Sequence, residues 1–187
     1  NAGADTFNVT VAGLSSADTI DGGDGGDSLV FTNAGTITDA QFTNVTTVES
    51  LTLTGASTLT AGTEASQAGI ATVNTGSGAT TVNTSLAGYD LTIDATTLAD
   101  NASLTLTGSA NTNDFTVNNL VGSVLASGTS GNLTVSAGNA TDNAIGVTTG
   151  TTNTTITASG SGDTITVNAD AMADNTTFDI NGSATYT

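Results

Sequence analysis

The chain has 187 residues, 17 of them Asp or Glu, with no Lys, Arg or His, for a formal net charge of −17. It has no cationic side chain with which to meet nucleic acid or an anionic membrane, and no side-chain salt bridge can form within it, which leaves a divalent cation as the ion able to offset its charge. Cysteine is absent, so no disulfide holds the fold, and no apolar run approaches the ~20 residues of a membrane span.

In chain order, Phe7 and Val9 open a series of apolar pairs separated by one residue, the period-2 mark of a strand with one buried face. Asp5-Thr6-Phe7 leads into this first pair, and Asp18-Thr19-Ile20 leads into the next strand. An acidic glycine loop follows, Gly22-Gly23-Asp24-Gly25-Gly26-Asp27, and runs into Leu29/Phe31. Leu51/Leu53 comes 22 residues later, and Val73, Leu91/Ile93, Phe115/Val117, Leu133/Val135, Ile156 and Phe178/Ile180 continue the series at similar spacing. Between them falls a second series: Ile20, Phe42/Val45, Leu59, Val82, Leu104/Leu106, Leu125, Ile145/Val147 and Ile165/Val167.

Strands thus recur about every 11 residues in two interleaved sets, which predicts an all-β chain: a parallel β-solenoid, β-roll-like, with two short strands per coil and about eight coils. A β-sandwich is the alternative. Stacked coils bury thin layers of Val, Ile, Leu and Ala, which suits a chain with no Trp, five Phe and two Tyr. AGTEASQAG (61–69) is the stretch read as helix, a turn or two long. The chain opens at Asn1 without a Met or a signal segment and stops in a strand-like pattern, so it is read as a piece of a longer protein.

LTIDATTLADNASLTLTGSAN (91–111) matches ITVNADAMADNTTFDINGSAT (165–185) at an offset of 74, and the match reaches back through TTVN (80–83) and TTIT (154–157). This is an internal duplication. The offset holds seven half-coils, so strictly two-stranded coils send matched strands to opposite faces; otherwise some coils carry a third strand, or the architecture changes after about residue 55. The chain divides on composition into an acidic Gly/Asp segment, 1–55, read as calcium-binding and β-roll-like, and a Thr/Ala-rich repeat region, 56–187.

Gly22 to Val30 fits the nonapeptide G-G-x-G-x-D-x-U-x, where U is a large apolar residue, at every specified position. The glycines let the backbone turn so that carbonyl oxygens converge, Asp27 adds a charged oxygen, and Leu29 starts the strand. Calcium takes six to eight such oxygens at about 2.3–2.6 Å; zinc would call for the His or Cys that this chain lacks. The candidate metal ligands are therefore Asp5, Asp18, Gly22, Gly23, Asp24, Gly25 and Asp27, with Ca2+ as the ion. Asp5, Asp27 and Glu49 stand 22 residues apart and are expected on one edge of the solenoid, with Asp18 on the other. Asp163, in SGSGDTITV (159–167), has the D-x-U end without the glycine spacing, and Asp114 and Asp142 read as turn caps.

DTIDGGDGGDSLVF (18–31), followed by FTNVTTVESLTLTGAS (42–57), resembles the repeats of RTX-type bacterial surface-layer proteins. There a glycine–aspartate loop leads into a Thr/Ala-rich β-domain with a V-E-x-L-x-L strand, matched by Val48-Glu49-Ser50-Leu51-Thr52-Leu53. The resemblance covers residues 1 to 57 in motif and the rest in composition. It implies secretion by a C-terminal signal, calcium-dependent folding outside the cell, and two-dimensional assembly.

Catalysis by nucleophile and base finds no footing without His, Cys or Lys, and the carboxylate pairs Asp90/Asp94 and Asp170/Asp174 lack the cationic or aromatic partners a sugar-cleaving site uses. The expectation is a non-enzymatic, secreted, cell-surface structural protein that assembles with itself, with anionic surface polysaccharide bridged through calcium as a further partner. The alternative is the stalk of an adhesin. An ice-binding threonine ladder (Thr52/Thr54, Thr58/Thr60, Thr105/Thr107, Thr155/Thr157, Thr164/Thr166) and the tail of a secreted enzyme rank behind both.

Overall fold

The structure, a computed structural model, describes residues 2–108, 113–140, 144–158, 163–182 and the backbone of 185–186. Among them, nine strands form one sheet in the spatial order of the chain: Thr6–Val9, Ser28–Phe31, Ser50–Thr52, Thr72–Asn74, Leu91–Asp94, Phe115–Leu120, Leu133–Ala137, Thr154–Ala158 and Phe178–Gly182. A second sheet of eight strands alternates with it: Thr36–Ile37, Ser57–Ala61, Thr80–Thr84, Ser103–Thr107, Ser123–Gly128, Ala144–Thr148, Thr164–Asn168 and Thr185–Tyr186. Each strand pairs in parallel with the strand one turn away, so the chain is a β-solenoid of about eight turns. Parallel pairing throughout the two sheets sets the sandwich alternative aside.

Register follows from the apolar series. Phe7, Leu29, Leu51, Val73, Ile93, Val117, Val135, Ile156 and Ile180 face one another in one unbroken column of the nine-stranded sheet. A one-residue slip would turn this column outward, so burial locks the register of every coil. Across the core, Ile37, Leu59, Val82 and Leu106 make the corresponding column of the second sheet, and one continuous apolar cluster runs from Leu14 to Ile165.

The second series needs three corrections. Ile20 and Val45 belong to neither large sheet: Ile20–Asp21 pairs with Val45–Thr46 in a separate two-stranded sheet. Phe42 ends a 3-10 turn, Asp39–Phe42, and the second-sheet strand of that coil is Thr36–Ile37. Leu125 faces outward, because Val124 and Ala126 on either side of it are the residues buried in the core.

Among the described residues a third side is formed in the first coils, where the helix Thr63–Ala68 then packs against strand Val45–Thr46. The segment read as helix is helical. Later coils carry two strands, and the matched segments do lie on opposite sheets: Leu91–Asp94 is in the first and Thr164–Asn168 in the second. Their turns are nonetheless the same. The Thr96 N–H donates to Asp94 Oδ1 and the Asp170 N–H to Asn168 Oδ1, both at 3.0 Å. The Leu98 N–H donates to Ala95 O and the Met172 N–H to Ala169 O. The Ala99 and Ala173 N–H groups reach back to Ser77 O and Thr151 O of the preceding coil.

Candidate metal centre

The register that aligns the apolar column also stacks Asp5, Asp27 and Glu49, which precede the paired residues Thr6, Ser28 and Ser50. In later coils the same inward position holds Leu91, Phe115 and Leu133, all buried. A carboxylate thus stands where these three coils place a core side chain. Asp5 is half-buried and Glu49 exposed, and Asp27 between them has no exposed surface.

The three are tied by backbone donors. The Asp5 N–H donates to Asp27 Oδ1 and the Asp27 N–H to Glu49 Oε2, both at 2.7 Å. Asp27 Oδ2 is buried and has no hydrogen-bond partner. Such an oxygen costs free energy unless a cation or a donor meets it, and this chain has no cationic side chain to send.

Local backbone explains the glycines. A Cβ on Gly22 would lie 2.0 Å from Thr47 O and 2.5 Å from Asp27 Oδ2, so these two oxygens face the Cα of Gly22 from close range. Gly25, at φ 146°, lies where a Cβ would meet Gly3 O at 2.2 Å, and the Gly3 N–H donates to Asp24 O at 2.7 Å. The loop is held against its neighbours in the coils on both sides.

The remaining candidates lie apart. Asp18 is exposed, and its Oδ2 accepts from the Ser15 N–H and hydroxyl, both at 2.8 Å. Asp24 is exposed, with Gly23 before it and Gly25 after it in left-handed or strained backbone. Among the described residues no three acidic side chains gather into a group able to hold a metal ion. The loop's carboxylates therefore do not form a cage. Asp27 Oδ2 and the Thr47 carbonyl oxygen both lie beside the Cα of Gly22; calcium would call for six to eight oxygens, water among them.

Asp21, not among the expected ligands, is engaged beside this loop. The Thr47 hydroxyl donates to its Oδ1 at 2.7 Å and the Thr46 hydroxyl at 3.3 Å, and the Thr47 bond is the main reason its carboxyl titrates below the usual range. Thr47 itself sits at φ 50° and accepts the Gly23 N–H at 2.8 Å. No spacing rule in the sequence links Asp21 to Thr47, because the bond crosses one whole coil.

Asp163 is the other buried carboxylate with an unpartnered oxygen, and in it both oxygens lack a hydrogen bond; residues 159–162, which carry its glycines, lie outside the described residues, as does Asp142. Asp114 is a coil-to-coil cap: its N–H donates to Asp90 Oδ1 at 2.8 Å, and its own Oδ1 accepts the Asn132 N–H at 2.6 Å. This ladder runs opposite to the one at Asp27, where the earlier coil donates to the later. Asp90 and Asp94 flank opposite ends of the strand Leu91–Asp94.

Sequence reading passed over Asp39, whose carboxylate accepts backbone N–H groups at the start of helix Thr63–Ala68. Its local signal was readable, since Thr38 and Gln41 form a capping box around it; its long-range role was not. No protein-family model, no curated protein and no solved structure matches the chain.

Proposed function

We propose that the chain is a structural element of a secreted, calcium-stabilised bacterial surface layer or extracellular fibre, assembling with copies of itself. The observation that carries this reading is the buried Asp27 carboxylate with one oxygen unpartnered, in a chain of charge −17 without a cationic side chain. A parallel solenoid that is compatible with a repeat structural protein supports it, as does the sequence resemblance over residues 1 to 57.

Calcium, when bound, supplies the positive charge that the chain lacks. Asp27 Oδ2 and the Thr47 carbonyl would hold it, while the Asp5 N–H donates to the other Asp27 oxygen. The folded state then gains by mass action, and the reduced charge eases the approach of a second copy or of anionic polysaccharide.

Far-UV circular dichroism and light scattering with and without millimolar calcium test the proposal. Strand signal that rises with calcium, followed by scattering, is the expected result, and Asp27→Asn should weaken both. A folded monomer indifferent to calcium would overturn it and leave the second reading, a stalk that spaces a binding domain from the cell.

A further inference from the structure

Thr47 holds a backbone conformation that its own side chain disfavours. It sits at φ 50°, in the left-handed region, where a β-branched residue is an outlier. Such strain persists only where surrounding bonds impose it, and it gathers at binding sites. Here the hydroxyl supplies the bonds. It donates to Asp21 Oδ1 at 2.7 Å, with Thr46 O at 2.8 Å as its other acceptor, and it accepts the Gly23 N–H at 2.8 Å. The Gly22 N–H donates to Thr46 O at 3.1 Å, and Ile20–Asp21 pairs with Val45–Thr46. Two successive glycines of the acidic loop are thus fastened to Thr46 and Thr47 of the next coil.

The consequence lies on the carbonyl side of Thr47. Its oxygen and Asp27 Oδ2 both lie within 2.5 Å of the point that a Gly22 Cβ would occupy. Gly22 and Asp27 are buried, and Asp27 Oδ2 has no hydrogen-bond partner. Among the described residues no backbone N–H donates to Thr47 O. Two acceptor oxygens therefore converge beside one glycine with no donor from the protein to meet them, an arrangement that costs free energy until a cation or water answers it.

We propose that Thr47 is the positioning residue of the ion site at Asp27: its hydroxyl, held by Asp21 and Gly23, fixes the left-handed turn that sets the Thr47 carbonyl beside Asp27 Oδ2. Asp21 acts through Thr47 and is not a ligand. Glycine would take the same turn without strain, so a turn that served the chain path alone would need no hydroxyl. What threonine adds is the link from Asp21 to Gly23. Neither Asp21 nor Thr47 belongs to the nonapeptide Gly22 to Val30. The assignment rests on the calcium reading above and adds the residues that shape its site.

Isothermal titration with calcium chloride, paired with thermal melts in EDTA, tests this on the parent and on Thr47→Ser, Thr47→Val and Thr47→Gly. Thr47→Ser keeps the hydroxyl and should bind calcium as the parent does. Thr47→Val keeps the shape, loses the link and should bind at least about tenfold more weakly, as when a partner that orients a metal ligand is removed. Thr47→Gly relieves the strain, so it should melt above Thr47→Val in EDTA and yet bind calcium as weakly. A merely structural turn gives another order, with Thr47→Gly binding as the parent does. Asp21→Asn and Asp21→Ala lose the same charge and leave Thr47 in place; only Asn still accepts its hydroxyl, and it should bind calcium more tightly than Ala.

Parent-like affinity in Thr47→Val or Thr47→Gly, or equal affinity in the two Asp21 variants, would overturn the assignment while the parent's titration leaves the calcium reading standing. A parent that takes up no calcium sinks both.

Discussion

Asp39 Oδ1 accepts the backbone N–H of Gly62, 23 residues away, at 2.7 Å, and the same oxygen accepts the Ala65 N–H at 2.9 Å. Glu64 donates to the other oxygen at 3.2 Å. A residue in one coil thus caps the helix of the next, because Gly62 itself has no side chain to do so. Its missing Cβ leaves room for the cap: one there would lie 2.8 Å from Asp39 Oδ2. Asp39→Ala should cost about 1–2 kcal/mol in urea unfolding, and Asp39→Asn less, since one oxygen can still accept.

Asn113 is buried, and its side-chain nitrogen donates to Leu86 O at 2.7 Å and Tyr89 O at 3.1 Å. Asn113→Ala leaves two carbonyls without that donor and should cost about 2–3 kcal/mol. Asn113→Asp sets a carboxylate against both carbonyls and should cost more. Thermal unfolding of the two variants ranks them.

The Asp27 position offers a crossing test. In calcium-free buffer Asp27→Leu removes a buried, half-paired carboxylate and restores the core residue of later coils, so it should be more stable than the parent by about 1–3 kcal/mol. With calcium added, the parent should gain stability and the variant should not. Parallel melts with and without the ion show whether the order reverses.

Asp94 responds to acid. Burial works to raise its pKa, but the Thr96 hydroxyl, the Thr96 N–H and Asn119 donate to it and together hold it below the ordinary value. A depressed folded-state pKa means that its contribution is fully present above the unfolded value of about 3.9 and is lost as pH falls through the folded one. Asp94→Asn should therefore show a flatter loss of stability than the parent between pH 5 and pH 2 in about half-unit steps of melting. Equal slopes would show that the Asp94 bonds carry no stability.

The periodicity of the apolar pairs was enough to place every strand of the nine-stranded sheet, because each pair must face the core and the coil length is nearly constant. The second side was less legible. Leu125 is more hydrophobic than Val124 or Ala126, yet the strand's parity buries its neighbours, and a register irregularity opposite Thr105 and Thr107 shifts the pattern. Ile20, Phe42 and Val45 mark a third side that two-strand periodicity does not describe. At the candidate site, the stacking of Asp5, Asp27 and Glu49 was readable from the 22-residue spacing. What was not readable was that only Asp27 turns fully inward, or that Thr47 would stand across Gly22 from it, since both depend on how the corner closes.

Stacking in parallel also governs how the molecule yields under load. Each coil is hydrogen-bonded to its two neighbours alone, and it advances the axis by about 4.8 Å while storing about 22 residues. Tension applied between the two ends peels the terminal coils one at a time, and each release pays out about 70 Å of extended chain. A rod built this way lengthens in near-equal steps and resists each step anew, so it behaves as a ratcheting tether rather than a strut that snaps.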